Sequence, residues 1–361
     1  MEKSILNVGV VGCGAVAQIE WLPYLHELDE YRITAISDIS NHLVNYFGDL
    51  YNIPNRFTDW HKLIDCPDVD IVIVLNMEHT KTCIYAANAK KDILVEKPLC
   101  ENPEQAVRIE KAVQENDVIL MVAEMKRYDP GYRYGQKLIK EMKGLRMIRT
   151  RLVCDALMRS LNEIYPVKRR PDVPDSVRKE IKDAFEKNLQ GVTGELPPEY
   201  YSFFLGAGIH HAGILRAAFG EPEGVRYCDI WDDWKMAIAH LDYGENVRGT
   251  FEIGLNDQKW NEEELTAFGV DQTIRIIFPN PFLKNQPTVV EVIENDNGAF
   301  VEKKITASYD EAFRAQLKHF YTCIVNREKP LTDVVECRRG VELMAAMFKS
   351  YAKRVSDSCE K

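Results

Sequence analysis

An apolar run, Ile5 to Val11, passes without a break into Gly12-Cys13-Gly14-Ala15-Val16-Ala17. That junction constrains the fold more than any other stretch. A short, near-continuous hydrophobic segment reads as a strand buried on both faces. Val16, Ile19, Leu22, Leu25 and Leu28 then recur at near-helical spacing, so a helix follows the glycines at once. Strand, G-x-G-x-x-A turn and helix, in that order, form the dinucleotide-binding arrangement. Gly12 permits the tight turn, and Gly14 lets the backbone approach a pyrophosphate without a Cβ in the way. Ala17 is small enough for the helix to pack on the strand. The N–H groups around Ala15 and Val16, at the helix start, point at the phosphates.

Such a triplet alone is a weak signal; its surroundings strengthen it. Arg32–Ser37, Asp70–Leu75, Ile93–Val95 and Val118–Val122 read as further strands, with helices over Thr80–Ala89 and Pro103–Asn116. Strands alternating with helices imply a parallel, doubly wound sheet covered on both faces. Asp38 follows the second strand, 26 positions after Gly12. Its carboxylate can accept both ribose hydroxyls and would repel a 2′-phosphate. No arginine stands in residues 39–43 to offset that repulsion, so NAD is favoured over NADP. The plain alternative for Asp38 is an exposed turn aspartate. Glu96-Lys97-Pro98 ends a later strand of the same sheet, placing an ammonium group at the edge where a dinucleotide's reactive ring could lie.

After Met125 the pattern changes. Residues 1–123 read as a Rossmann domain and 124–361 as an α+β domain with a large, mostly antiparallel open sheet. Gly131–Met142 reads as helix and Leu145–Cys154 as strand. Residues 158–200, rich in proline and charge, read as an excursion with an amphipathic helix over Val177–Asn188. A helix over Ala207–Phe219 stops at Gly220. Strands are expected over 224–231, 236–243, 247–255, 263–270, 272–278, 288–294 and 299–305, as one antiparallel sheet. Tyr243-Gly-Glu-Asn246 and Asp296-Asn297-Gly298 mark turns between them. Two helices close the chain, with stripes Phe313, Leu317, Phe320, Ile324 and Val341, Met344, Ala345, Phe348.

Composition removes several function classes. A net charge of −10 over 361 residues argues against a nucleic-acid surface, and Lys168-Arg169-Arg170 is the densest basic run. No segment reaches the roughly 18 apolar residues of a membrane span. Met1-Glu2-Lys3-Ser4 enters the first strand directly, with no signal-peptide pattern. Nine scattered cysteines show neither a C-x-x-C pair nor metal-ligand spacing, so reduced thiols, a cytoplasmic location and no metal are expected.

These residues together resemble the Gfo/Idh/MocA family of sugar and cyclitol dehydrogenases over nearly the whole length. Gly12–Ala17 matches the cofactor turn. Val74-Leu75-Asn76-Met77-Glu78-His79 matches a T-P-N-x-x-H segment, with Asn76 and His79 as cofactor contacts. Glu96-Lys97-Pro98 matches the E-K-P signature. Lys126-Arg127-Tyr128-Asp129-Pro130 resembles the segment entering the second domain, and Gly208-Ile209-His210 resembles the catalytic helix. The family commonly reads D-x-G-x-H-x-x-D there; this chain has Gly206 and Gly213 at the two aspartate positions. The resemblance implies that Lys97 hydrogen-bonds the reacting oxygen, that His210 is the base, and that the Lys97–Pro98 peptide is cis. Glu96 is expected to orient Lys97 or the cofactor.

Near-neutral pKa suits histidine to that proton step; a partly desolvated Lys97 near a positive nicotinamide ring, its own pKa lowered, is the alternative base. His211 lies about 100° round the helix from His210, so the two are not expected to face one substrate; a register shift of one would exchange them. Arg127, Tyr128 and Asp155, with Tyr165 and the Tyr200-Tyr201 pair, are further substrate-contact candidates, each with a packing or surface reading beside it. The expected activity is NAD-dependent oxidation of a polyol, sugar or sugar derivative. A non-catalytic NAD-binding sensor and a hydrolase that uses NAD transiently are the rivals. A homodimer or homotetramer through the second domain's sheet is expected.

Overall fold

The computed structural model describes residues 5–155, 163–244 and 246–359. The N-terminal tetrapeptide, residues 158–162 of the expected excursion and Glu245 of the expected turn lie outside the described residues. Backbone contacts divide the chain into two compact units. The first comprises residues 1–123, 164–188 and 316–341; the second comprises 124–163, 189–315 and 342–361. Segments 164–188 and 316–341, which the sequence pattern assigns to the second domain, thus join the first unit.

The first unit holds a six-stranded sheet: β1 (Leu6–Val11), β2 (Tyr31–Ser37), β3 (Asn55–Phe57), β4 (Ile71–Val74), β5 (Asp92–Glu96) and β6 (Leu120–Ala123). Its order is β3-β2-β1-β4-β5-β6 and every pairing is parallel. The β-branched run of β4 is wholly buried, as a strand covered on both faces requires. Register then sets the site. Val11 pairs with Ser37 on one side and Val74 on the other, and Val74 pairs with Val95. The residues that follow these strands therefore leave the sheet along one carboxyl edge, at the point where strand order reverses, which is where ligands bind such sheets.

A π turn, Ala17–Trp21, runs into α1 (Leu22–Glu27). The other helices of this sheet are α2 (Asn41–Leu50), α3 (Trp60–Ile64), α4 (His79–Asn88) and α5 (Pro103–Asn116). Ser40, Asp59 and Asn102 each accept a backbone N–H at a helix start, as short polar side chains do. The far edge strand is covered by a distant segment: Val122 N–H donates to Thr332 O at 2.8 Å, and Thr332 Oγ1 returns a bond to Val122 O at 2.7 Å.

The second unit holds α6 (Pro130–Glu141), α8 (Pro198–Phe219) and an eight-stranded sheet; α7 (Asp175–Thr193) precedes α8 in the chain. The strands are β7 (Met147–Asp155), β8 (Gly224–Trp231), β9 (Met236–Asp242), β10 (Arg248–Asn256), β11 (Glu262–Phe268), β12 (Gln272–Ile277), β13 (Val289–Asp296) and β14 (Ala299–Thr306). Their order is β14-β13-β12-β11-β7-β10-β9-β8. The sheet is not antiparallel throughout: β7 inserts between β11 and β10 and runs parallel to β10. The chain between them is a long crossover rather than a hairpin, which is what a parallel pair needs. α8 begins at Pro198, earlier than the sequence pattern suggests, and stops at Gly220, whose φ is 85°. Two closing helices, α9 (Ala312–Asn326) and α10 (Val334–Cys359), pass from one unit's residues to the other's.

Candidate functional site

The glycine turn of the first unit is sterically dictated. Gly12 has φ +103°, and a Cβ there would stand 2.7 Å from Asn76 N. Only glycine meets both conditions. Gly14 faces open space except for Arg170 Nη2, 3.7 Å from its missing Cβ. Helix begins directly after the glycines, at Ala15. The first N–H groups of a helix have no partner within it and can meet an anion, so turn and helix fit a pyrophosphate. Asp38 stands beside the turn. Its Oδ2 accepts from Cys13 N–H at 2.8 Å, and its Oδ1 accepts from Ser40 N–H at 2.9 Å. The Cys13 thiol is buried, and burial, reinforced by the Asp38 charge, holds its pKa far above the usual thiol range. It is a packing residue rather than a nucleophile.

Asn76 and His79 follow β4, Glu96 ends β5 and Lys97 follows it, all at the same carboxyl edge. Asn76 Nδ2 donates to Thr82 Oγ1 at 3.1 Å. The His79 ring lies 2.7 Å from Pro98 O through Nδ1. A carbonyl only accepts, so Nδ1 carries the proton and Nε2 is an acceptor. Burial is the main cause that lowers the His79 pKa to about 4, so the ring is neutral near pH 7. The Trp21 indole donates to Glu96 Oε1 at 2.8 Å, and Lys97 N–H donates to Oε2 at 2.9 Å. Both carboxylate oxygens are thereby used to shape the turn, and burial raises the carboxyl pKa. The Lys97–Pro98 peptide is cis.

In the second unit, α8 presents two faces. Gly206, His210 and Gly213 fall at i, i+4 and i+7 on one of them. A Cβ at Gly206 would meet nothing within 4 Å. Gly208 belongs to the other face, where a Cβ would stand 2.7 Å from Met344 and 3.1 Å from Phe251. His211 points that way too. It is 1% exposed, with Nε2 2.9 Å from Glu263 Oε1 and Nδ1 on Thr150 Oγ1. Both ring nitrogens are engaged inside the core, so His211 acts there as a structural tie. Glu263 also pairs with Lys126 at 2.9 Å. Burial pushes the Glu263 carboxyl up, but Lys126 and the His211 bond outweigh it and hold its pKa at about 2. Arg127 Nη1 donates to Gly213 O at 3.4 Å. Tyr128 is 2% and Asp155 6% exposed.

Two residues at these sites escape the sequence pattern. Arg170, in the excursion, donates to Asp38 Oδ2 at 2.9 Å across 132 positions. Its only sequence signal is the short basic run Lys168-Arg169-Arg170. Glu124, just past the buried β6, lays its carboxylate against α8 where a side chain at 213 would be. An acid directly after a fully buried strand, together with a glycine where an aspartate is usual, is the signal that pairs them. Among the described residues no cluster of three metal-ligating side chains occurs, and no helix is long and apolar enough to cross a membrane.

Comparison with known proteins fits this geometry. Residues 6–124 match the GFO_IDH_MocA model, described as an oxidoreductase family with an NAD-binding Rossmann fold. A myo-inositol 2-dehydrogenase of Thermotoga maritima is 29% identical over 130 residues, 36% of this chain and 39% of that protein. The chain thus spans about two fifths of the length of that curated relative. A scyllo-inositol 2-dehydrogenase (NAD(+)) of Bacillus subtilis is 21% identical over 306 residues, 81% of this chain and 78% of that protein. A 3-ketoreductase from Actinomadura kijaniata, solved with TDP-benzene and NADP, superposes with a TM-score of 0.73 at 17% identity, covering 96% of this chain and 98% of its own. An Agrobacterium radiobacter oxidoreductase solved with NAD+, L-tartaric acid and magnesium gives 0.74 at 17% identity, covering 97% of each chain. These two likenesses are of fold. The glycine turn, the acid after β2 and the E-K-P edge all lie within residues 6–124, which match the NAD-binding Rossmann domain of the Gfo/Idh/MocA oxidoreductase family.

Proposed function

We propose that this chain is an NAD-dependent dehydrogenase that moves a hydride between nicotinamide C4 and a secondary alcohol or ketone of a sugar, cyclitol or sugar derivative. The observation that carries this reading is the single carboxyl edge of the parallel sheet, which gathers Gly12, Asp38, His79, Glu96 and Lys97 at the strand-order reversal. The inositol dehydrogenases among its relatives support the polyol class. When bound, the dinucleotide supplies the carbon that takes up or gives the hydride.

The chain's own residues do the rest. Gly12 and Gly14 admit the pyrophosphate to the backbone, and Asp38 offers acceptors to the adenosine ribose. His79, neutral and tied to Pro98 O, keeps an uncharged acceptor nitrogen at the edge. Glu96 holds the backbone from which Lys97 extends, and the Lys97 ammonium hydrogen-bonds the reacting oxygen. His210, on the glycine-flanked face of α8, takes the hydroxyl proton. We also infer a cytoplasmic homodimer or homotetramer through the second unit's sheet, whose edge strands leave Trp231 46% and Phe300 70% exposed.

Gly206, with open space where the family carries an aspartate, favours a second reading: a dinucleotide-binding sensor without turnover. A screen for NADH formation across inositols, sugars and sugar acids separates the two. The dehydrogenase reading expects turnover that falls by at least about 100-fold in Lys97→Met and in His210→Asn, with NAD affinity kept. Tight NAD binding without turnover on any compound would support the sensor instead.

A further inference from the structure

Arg170 sits on the carboxylate that an adenosine ribose would use. Its Nη2 donates to Asp38 Oδ2 at 2.9 Å and stands 3.7 Å from the missing Cβ of Gly14. It therefore lies over the glycine turn and beside the ribose acceptor at once. The segment that carries it is pinned on both sides of that turn. On one side Lys168 N–H donates to Gln18 Oε1 at 2.8 Å, and Gln18 Nε2 returns a bond to Lys168 O at 3.2 Å. On the other, Asp172 accepts from Ser40 Oγ at 2.5 Å and from His42 N–H at 2.9 Å. Gln18 lies in the helix that leaves the glycines, and Ser40 and His42 follow Asp38 at the start of α2. The guanidinium is thus held in place while its side chain stays 33% exposed, against 2% for Asp38.

An aspartate alone at this position excludes a 2′-phosphate by charge. Paired with an arginine it does not. A guanidinium carries five N–H donors in a planar fork that matches phosphate oxygens, and it stays charged at any working pH. A ribose bearing both hydroxyls takes acceptors from Asp38. A ribose bearing a 2′-phosphate offers the fork a stronger, doubly charged partner than the carboxylate it now holds. We propose that Arg170 is a specificity-determining residue of the dinucleotide site, binding the 2′-phosphate of NADP, so that this chain accepts both NAD and NADP. This rests on the dinucleotide reading of the first unit.

Titration calorimetry of the 361-residue chain with NAD+ and with NADP+ tests it. The wild type is expected to bind the two within about tenfold of each other. Arg170→Met should weaken NADP+ by at least about tenfold and NAD+ by less than about threefold. Arg170→Lys, which keeps the charge without the fork, should fall between them. NADP+ affinity should also drop more steeply with salt in the wild type than in Arg170→Met. A wild type that binds NAD+ but no NADP+, or a substitution that weakens both dinucleotides equally, overturns the role of Arg170 and leaves the dehydrogenase reading intact. Failure of the wild type to bind either dinucleotide overturns both.

Discussion

A methyl group at position 213 would land on a carboxylate oxygen. Gly213 lies three residues past His210 on α8, and a Cβ built there collides with Glu124 Oε2. Glu124 is 2% exposed and has no solvent route of retreat. Glycine inside a helix costs about 1 kcal/mol relative to alanine; here the buried acid requires the space. Read as a string of letters, position 213 has lost the family's second aspartate. In three dimensions a carboxylate from Glu124 enters the same volume from another segment. Gly213→Ala is therefore expected to lower stability by about 1–3 kcal/mol, as overpacking does. In a Glu124→Ala background the same change should be neutral, or stabilising by up to about 1 kcal/mol. Urea unfolding of the four proteins closes the double-mutant cycle. Equal costs in both backgrounds would mean that the two residues do not compete for one space.

At the scale of elements, one buried polar chain fixes α8 against its sheet. His211 on α8 is tied to Thr150 on β7 and to Glu263 on β11, and Glu263 to Lys126 ahead of α6. Removing the central charge leaves a buried ammonium unpaired, so Glu263→Gln should cost about 3–5 kcal/mol. The pH dependence follows from the same carboxyl. Its pKa moves from an ordinary 4.5 to about 2 on folding. The stability it contributes is fully present above 4.5 and drains away as pH falls from there towards 2. Stability measured by denaturant should therefore drop through that window in the wild type and drop less in Glu263→Gln. Elements built on local pattern were legible in the sequence. Strands β8 to β14 appear there because hairpin turns and alternation punctuate them, and Gly220 marks the end of α8. Three-residue β3 and five-residue α3 are too short to show any period. The insertion of β7 beside β10 was illegible because pairing between distant segments leaves no local trace. Adjacent His210 and His211 could be told apart in direction but not in assignment until Gly208, packed on Phe251 and Met344, set the phase of the helix.

Across the whole molecule, neither unit is a continuous stretch of chain. The Rossmann sheet is encoded before residue 124, yet its unit includes 164–188 and 316–341. The later segments perform specific work there. Thr332 covers the backbone of edge strand β6 at Val122, and Asp333 forms a bridge with Met121. Tyr31 Oη donates to Leu317 O at 2.6 Å, and Arg338 pairs with Glu110 at 2.6 Å. Residues 168–172 brace the glycine turn through Gln18, Asp38 and Ser40. An uncovered edge strand is a template for association with another chain. A fragment ending at Ala123 keeps the G-x-G-x-x-A turn, Asp38 and Lys97 while exposing β6 and losing every one of these braces. The fragment is expected to self-associate on size-exclusion chromatography, to unfold in urea without a sharp transition, and to bind NAD+ at least about tenfold more weakly than the full chain. A monomeric fragment that unfolds cooperatively and keeps full-chain affinity would show that the motif-bearing segment suffices. The distant segments would then be coverings rather than parts of the dinucleotide site.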